Sequence, residues 1–209
     1  MTRAMTGITA KRTISERKRQ VTRDAVLDAV IDVFRDRRFD FSVQEVADRA
    51  GLAHRTVYRH FPNRDALIDG VAERFEASLS AHGFSEGDTV EEVVERVEAR
   101  FAWFDREADL VHAVAINTLA TGQRTSPSRR RGERMRALFR RKFPSVPAEE
   151  FEAAFVTLRA LSGVVGWHTL TSEGVASDVA ARTVRRMVEV ALADLESRDR
   201  KAAGTAVGR

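Results

Sequence analysis

Residues 42–67 read SVQEVADRAGLAHRTVYRHFPNRDAL, and the way this stretch starts, turns and restarts decides the fold. Ser42 offers an N-cap acceptor, Glu45 stands three residues later to answer it, and Phe41 and Val46 flank the pair as a hydrophobic staple. A helix therefore starts at Ser42. Gly51 falls where that helix must end, because glycine takes the left-handed conformation beyond a C-cap at little cost, and Leu52 then returns to the core. The chain re-enters a helix almost at once. Residues 54–60 form it, Pro62-Asn63 breaks it, and Asn63 caps a further helix that opens at Arg64 and Asp65.

Helix, tight turn, helix has a physical use. A second helix held across the first can enter the major groove of DNA, where its side chains meet base edges while the first helix crosses the backbone. Here His54, Arg55, Thr56, Tyr58, Arg59 and His60 are polar or amphipathic, whereas Val57 and Phe61 join Val46, Ala47 and Leu52 in closing a core. Arg55 is the leading base reader. Its guanidinium matches guanine O6 and N7 in a bidentate pair worth about 1–3 kcal/mol of discrimination.

The stretch closely resembles the DNA-binding signature of TetR-family regulators, through Val46-Ala47, Ala50-Gly51, Thr56-Val57-Tyr58, Phe61, Arg64 and Leu67 at fixed offsets. The resemblance implies that His54 and Arg55 face bases, that Thr56, Tyr58 and His60 contact backbone or base edges, and that Arg59 lies beside them. It also implies phosphate contacts at Ser42 and Arg64, both at helix N-termini. Two positions depart from the usual pattern. Ala53 stands where a serine often caps the second helix, a change that weakens the cap by about 1 kcal/mol. Arg64 replaces a usual lysine, keeping the charge with a different donor geometry.

Upstream, Val26, Val30 and Val33 with Leu27, Ile31 and Phe34 recur at three- and four-residue spacing, which predicts an amphipathic helix over 21–37. Before it, residues 1–23 hold seven basic side chains against the single acid Glu16, a net +6, while the whole chain carries only +4. That distribution predicts a flexible basic arm over 1–20, either a solvated tail or a segment reaching the minor groove.

Downstream the pattern shifts to longer helices: from 64 to about 81, from Asp88 with Glu91 to about 106, over 110–119, and from Ser126-Pro127 to before Pro144. One long helix over 147–172 and another over 179–195 complete about nine in an all-α fold. The expected division is an arm (1–20), a three-helix DNA-binding head (21–68), a helical ligand-binding and dimerisation body (69–197) and a disordered tail (198–209). The run Arg129, Arg130, Arg131 reads as a mobile loop or a second DNA-facing patch.

The body has no distinctive motif, so its role is what the resemblance implies: pairing through the last two helices around an inducer pocket. Interface candidates are Phe155, Gly163, Gly166, Trp167, Val184, Val188 and Ala191. Pocket candidates are Phe101, Phe104, His112, Asn117, Thr121, Leu158 and Leu161, whose mostly apolar character suits a hydrophobic or aromatic small molecule. Expected partners are thus a double-stranded, palindromic DNA operator, a small-molecule effector and a second copy of the chain.

Composition bounds the alternatives. At 209 residues and 43% hydrophobic content the chain furnishes a real core. It has no cysteine, which suits a cytoplasmic location and excludes thiolate metal sites and cysteine nucleophiles. No apolar run approaches a membrane span. Asp109 and His112 share a helical face, but without an evident third ligand no metal is expected, and no cofactor either. No nucleophile-elbow, P-loop or HExxH pattern appears, so an enzyme is not expected. Two other classes remain to be weighed: an all-helical small-molecule-binding protein or enzyme with a vestigial head, and an architectural DNA-binding protein without inducer.

Overall fold

Thr13 opens the first helix, α1 (Ile14–Arg35), through a full capping box: its backbone N–H donates to Glu16 Oε2 at 2.6 Å, and the Glu16 N–H donates to Thr13 Oγ1 at 3.2 Å. The helix thus begins seven residues before the expected start at 21, because a cap and polar turns suffice to extend it over solvent. Residues 14–20, read from charge as arm, are its first turns; the rest of the arm, over 1–12, lies outside the described residues. The computed structural model describes residues 13–36, 40–79, 82, 84–85, 87–122 and 125–207.

Among the described residues there are eleven helices and no strand. After α1 come α2 (Val43–Arg49), α3 (His54–His60) and α4 (Arg64–Leu79). Then follow α5 (Val90–Glu95), α6 (Val97–Arg106), α7 (Ala108–Thr121), α8 (Ser126–Lys142), α9 (Ala148–Leu161), α10 (Val164–Ser172) and α11 (Ser177–Val207). No helix is long and apolar enough to cross a membrane.

Two expected helices are each broken in two. The 88–106 segment is capped by Thr89 with Glu92, not Asp88 with Glu91, and resets at Arg96 between α5 and α6. Asp88 instead accepts from the Ser85 backbone and from Arg96. The 147–172 segment breaks at Ser162-Gly163 into α9 and α10. A Cβ at Gly166 would lie 2.1 Å from the Leu161 carbonyl oxygen, so this break needs glycine for its own backbone. The restart at 126 has Thr125 in the N-cap position with no side-chain cap bond and Pro127 in the first turn, and places Arg129–Arg131 on a helix instead of a loop. Finally, α11 runs to Val207, through the segment that polarity alone reads as a disordered tail. Ion pairs of Arg198 with Glu150 and Asp194 hold its distal part to α9 and to itself.

The apolar core is continuous. Val30 and Phe34 of α1, Phe75 of α4, Phe101 and Phe104 of α6, Phe155 of α9 and Val184 of α11 belong to one buried cluster. α1 packs on α7, and α4 packs on both α7 and α8. Three polar links cross the same seam: Arg35 with Asp109, Glu76 with Arg131 at 3.1 Å, and the Ser126 N–H with Asp69 Oδ1 at 3.3 Å.

Candidate nucleic-acid interface and body cavity

The helix-turn-helix is built as a rigid unit by its own short-range chemistry. Ser42 Oγ accepts from the Glu45 N–H at 3.1 Å, and Glu45 Oε2 accepts from the Ser42 N–H at 2.8 Å. At the other end Gly51 takes φ +64°, the Gly51 N–H donates to Asp48 O, and the Leu52 N–H returns to Ala47 O. This double closure is a Schellman turn, and it fixes where α3 departs. Val46, Ala47 and Val57 have no exposed surface, and Phe61 has almost none. Gly70 of α4 lets Phe61 seat: a Cβ there would come within 2.7 Å of the Phe61 ring and 2.9 Å of Leu27.

On that frame the predicted reading residues divide. Arg55 and Tyr58 are exposed, Arg59 is exposed beside them, and none makes a side-chain hydrogen bond or ion pair among the described residues. Thr56 is half-buried next to them. His54 turns its ring back on α2, with Nε2 at 2.9 Å from Asp48 Oδ1. Ser42 spends its hydroxyl on the cap. Arg64 lays its guanidinium over the Phe41 ring, 4.8 Å from the centroid. Arg23 does the same over Phe61 at 4.6 Å while pairing with Glu73 at 2.9 Å. His60 is half-buried, and its pKa is lowered, first by burial and then by the charges of Arg59, Arg19 and Arg23. Ala53 caps α3 with backbone alone.

A compact, doubly capped helix pair with unpaired cationic and aromatic side chains on the second helix defines a helix-turn-helix DNA-binding protein. Residues 26–71 match the family model of bacterial regulatory proteins of the tetR family. These residues are thus similar to that family's DNA-binding domain, which supports a DNA-binding transcription regulator. No curated protein matches the chain.

The body places the other predicted residues differently. Phe155, Trp167, Val184 and Val188 are buried in the protomer's own core, and Ala191 is half-buried against it. Trp167 donates its indole N–H to Asp105 Oδ1 at 2.9 Å, tying α10 to α6. Gly163 and Gly166 serve the α9–α10 break. The exposed apolar side chains on these helices are Val156 of α9 and Val179, Met187 and Val190 of α11. A stripe in the sequence cannot say which of two apolar helix faces meets the helix's own protomer.

Of the pocket candidates, only Phe104 lines a cavity of about 50 Å3 between α4, α6, α7, α8 and the α9–α10 break. Leu158 borders a smaller neighbouring void, and Phe101 is fully buried core. His112 packs on Trp167 and His168, with ring centroids 4.9 and 5.1 Å away. Thr121 is exposed, Leu161 is half-buried against the core, and Asn117 is buried with Oδ1 lacking a partner among the described residues. Asp109 bonds Arg35, not a site shared with His112.

The cavity also has residues that the sequence reading missed: Arg100, Arg131 and Arg159 all line it. The signal was present. Val93, Val97, Arg100 and Phe104 occur at helical spacing, so Arg100 interrupts an apolar face.

Proposed function

We propose that this regulator is a homodimeric repressor that occupies a palindromic operator and leaves it when a small molecule enters the body. The supporting observation is the exposed trio Arg55, Tyr58 and Arg59 on a helix whose position is fixed by two caps and a buried core. Two such helices, one per protomer, fit successive major grooves when spaced about 34–36 Å apart. DNA contact belongs in this reading to residues 21–68, ligand capture and pairing to 69–197, and the site of action is the cytoplasm. The effector acts by favouring a different spacing of the paired heads, and can shift the balance only as far as its affinities for the two forms differ.

The cavity favours this over an architectural role, since a body with no ligand to hold has no need of one lined by buried charge. The pairing surface in this reading is the exposed side of α9 and α11, because apolar side chains at Val156, Met187 and Val190 otherwise face water.

Fluorescence anisotropy with DNA from the chain's own upstream region tests the reading face. Arg55→Ala should weaken specific binding by about tenfold or more, and Tyr58→Ala should weaken it too, with folding unchanged. Equal binding by the wild type and both variants would refute the assignment.

A further inference from the structure

Arg100 is a guanidinium in the wrong company. It is 6% exposed, on the inward face of α6 between Val97 and Phe104. Its Nε donates to the Ser162 carbonyl at 3.1 Å, at the break between α9 and α10. It makes no ion pair among the described residues. Burial lowers its pKa to about 10, and the charges acting on it are those of Arg131 and Arg96, both of its own sign. It therefore stays protonated at neutral pH, a buried cation without an anion, which folded chains avoid because the lost hydration is not replaced.

The surroundings extend the pattern. Arg131 also lines the cavity but is matched by Glu76, whose own carboxyl is pushed up by burial. Arg159 reaches the same space from α9, with Nη2 donating to Ser128 O at 3.2 Å. Its guanidinium lies flat on Gly132, where a Cβ would come within 2.2 Å of Nη1. Phe75, Leu79, Phe104 and Met135 supply apolar wall, interspersed with Thr118, Ser128 and Ser162. The volume of about 50 Å3 suits a small charged head group, and the apolar side chains suit what is attached to it.

Resting on the reading of the chain as a ligand-released regulator, we propose that its effector is an organic carboxylate with an apolar body, whose carboxylate Arg100 takes as counter-ion beside Arg159. The acid group enters where the protein has placed positive charge in advance. The neutral analogue of the same acid finds no such gain and leaves the guanidinium unmatched.

Thermal melting of the full-length protein tests this with octanoate and phenylacetate, their neutral amides octanamide and phenylacetamide, and inorganic phosphate. The two acids should raise the Tm in a concentration-dependent manner, while the amides and phosphate leave it unchanged. Arg100→Met should melt at or above the wild-type temperature without additive, since it removes an unmatched buried charge, and should lose the response to both acids. Gly132→Ala meets only the guanidinium end of the long Arg159 side chain, so it should fold normally and bind octanoate about tenfold more weakly. Amides as effective as acids, no response to either acid, or an Arg100→Met protein that still responds would each overturn the proposal. A Tm rise with phosphate alone would overturn it in favour of a free inorganic anion. Operator binding without additive is measured in parallel: its loss sinks the regulator reading, whereas its persistence beside unresponsive melting sinks only the carboxylate.

Discussion

Ala53 leaves the first N–H groups of α3 without a side-chain acceptor, although α2 and α1 both begin with full capping boxes. Ala53→Ser should therefore stabilise the protein by about 1 kcal/mol in urea unfolding, with no loss of DNA affinity. A neutral or destabilising effect would mean that the start of α3 is held by packing alone. His60 gives a different signature. Its pKa lies below the usual 6.5 in the folded chain, so as pH falls through that value the unfolded chain takes up a proton first. Stability is full above 6.5 and declines on the acid side. His60→Gln should remove that part of the decline below the usual 6.5, read from urea midpoints. An identical pH profile in the variant would place the effect elsewhere.

At the scale of elements, α4 carries the head's fit to α1 and α3. The ring of Phe61 and the Leu27 methyl occupy the space a side chain at position 70 would need. Both are buried, so neither can move away cheaply. Gly70→Ala should cost about 1–3 kcal/mol of stability by chemical denaturation, and a smaller loss would show that the ring can turn aside.

What was legible follows the range of the forces involved. Ser42 with Glu45, Gly51 and Asn63 act within one helical turn, and the sequence specifies each correctly. The α9–α10 break is less visible, since apolar periodicity runs through it while the carbonyls near Gly163 and Gly166 decide it. That Arg55, Tyr58 and Arg59 face outward while Val57 is buried follows from the polarity pattern of α3, but the turn of His54 toward Asp48 depends on two helices meeting. The spacing of Val93, Val97 and Phe104 sets Arg100 on an apolar face, but that no carboxylate comes to meet it there depends on how the helices pack.

For the whole molecule, α11 carries two apolar faces. Val184, Val188 and Leu192 are buried within the protomer, while Val179, Met187 and Val190 are exposed. If the exposed face pairs two copies, Met187→Glu with Val190→Glu should give a monomer by sedimentation, keep its helical content, and bind the operator much more weakly because two half-sites are no longer engaged together. A dimer that survives both changes would move the interface elsewhere.

The seam formed by Arg35 with Asp109, Glu76 with Arg131 and Asp69 with Ser126 bears on how such regulators can be rewired. Changing the outward side chains of α3 should retarget the protein freely, since Arg55, Tyr58 and Arg59 have no commitments elsewhere in the described chain. Transplanting residues 13–79 whole onto another body is a different operation. Such a chimera inherits half of each cross-seam pair and will transmit a signal only if its new host supplies the other half.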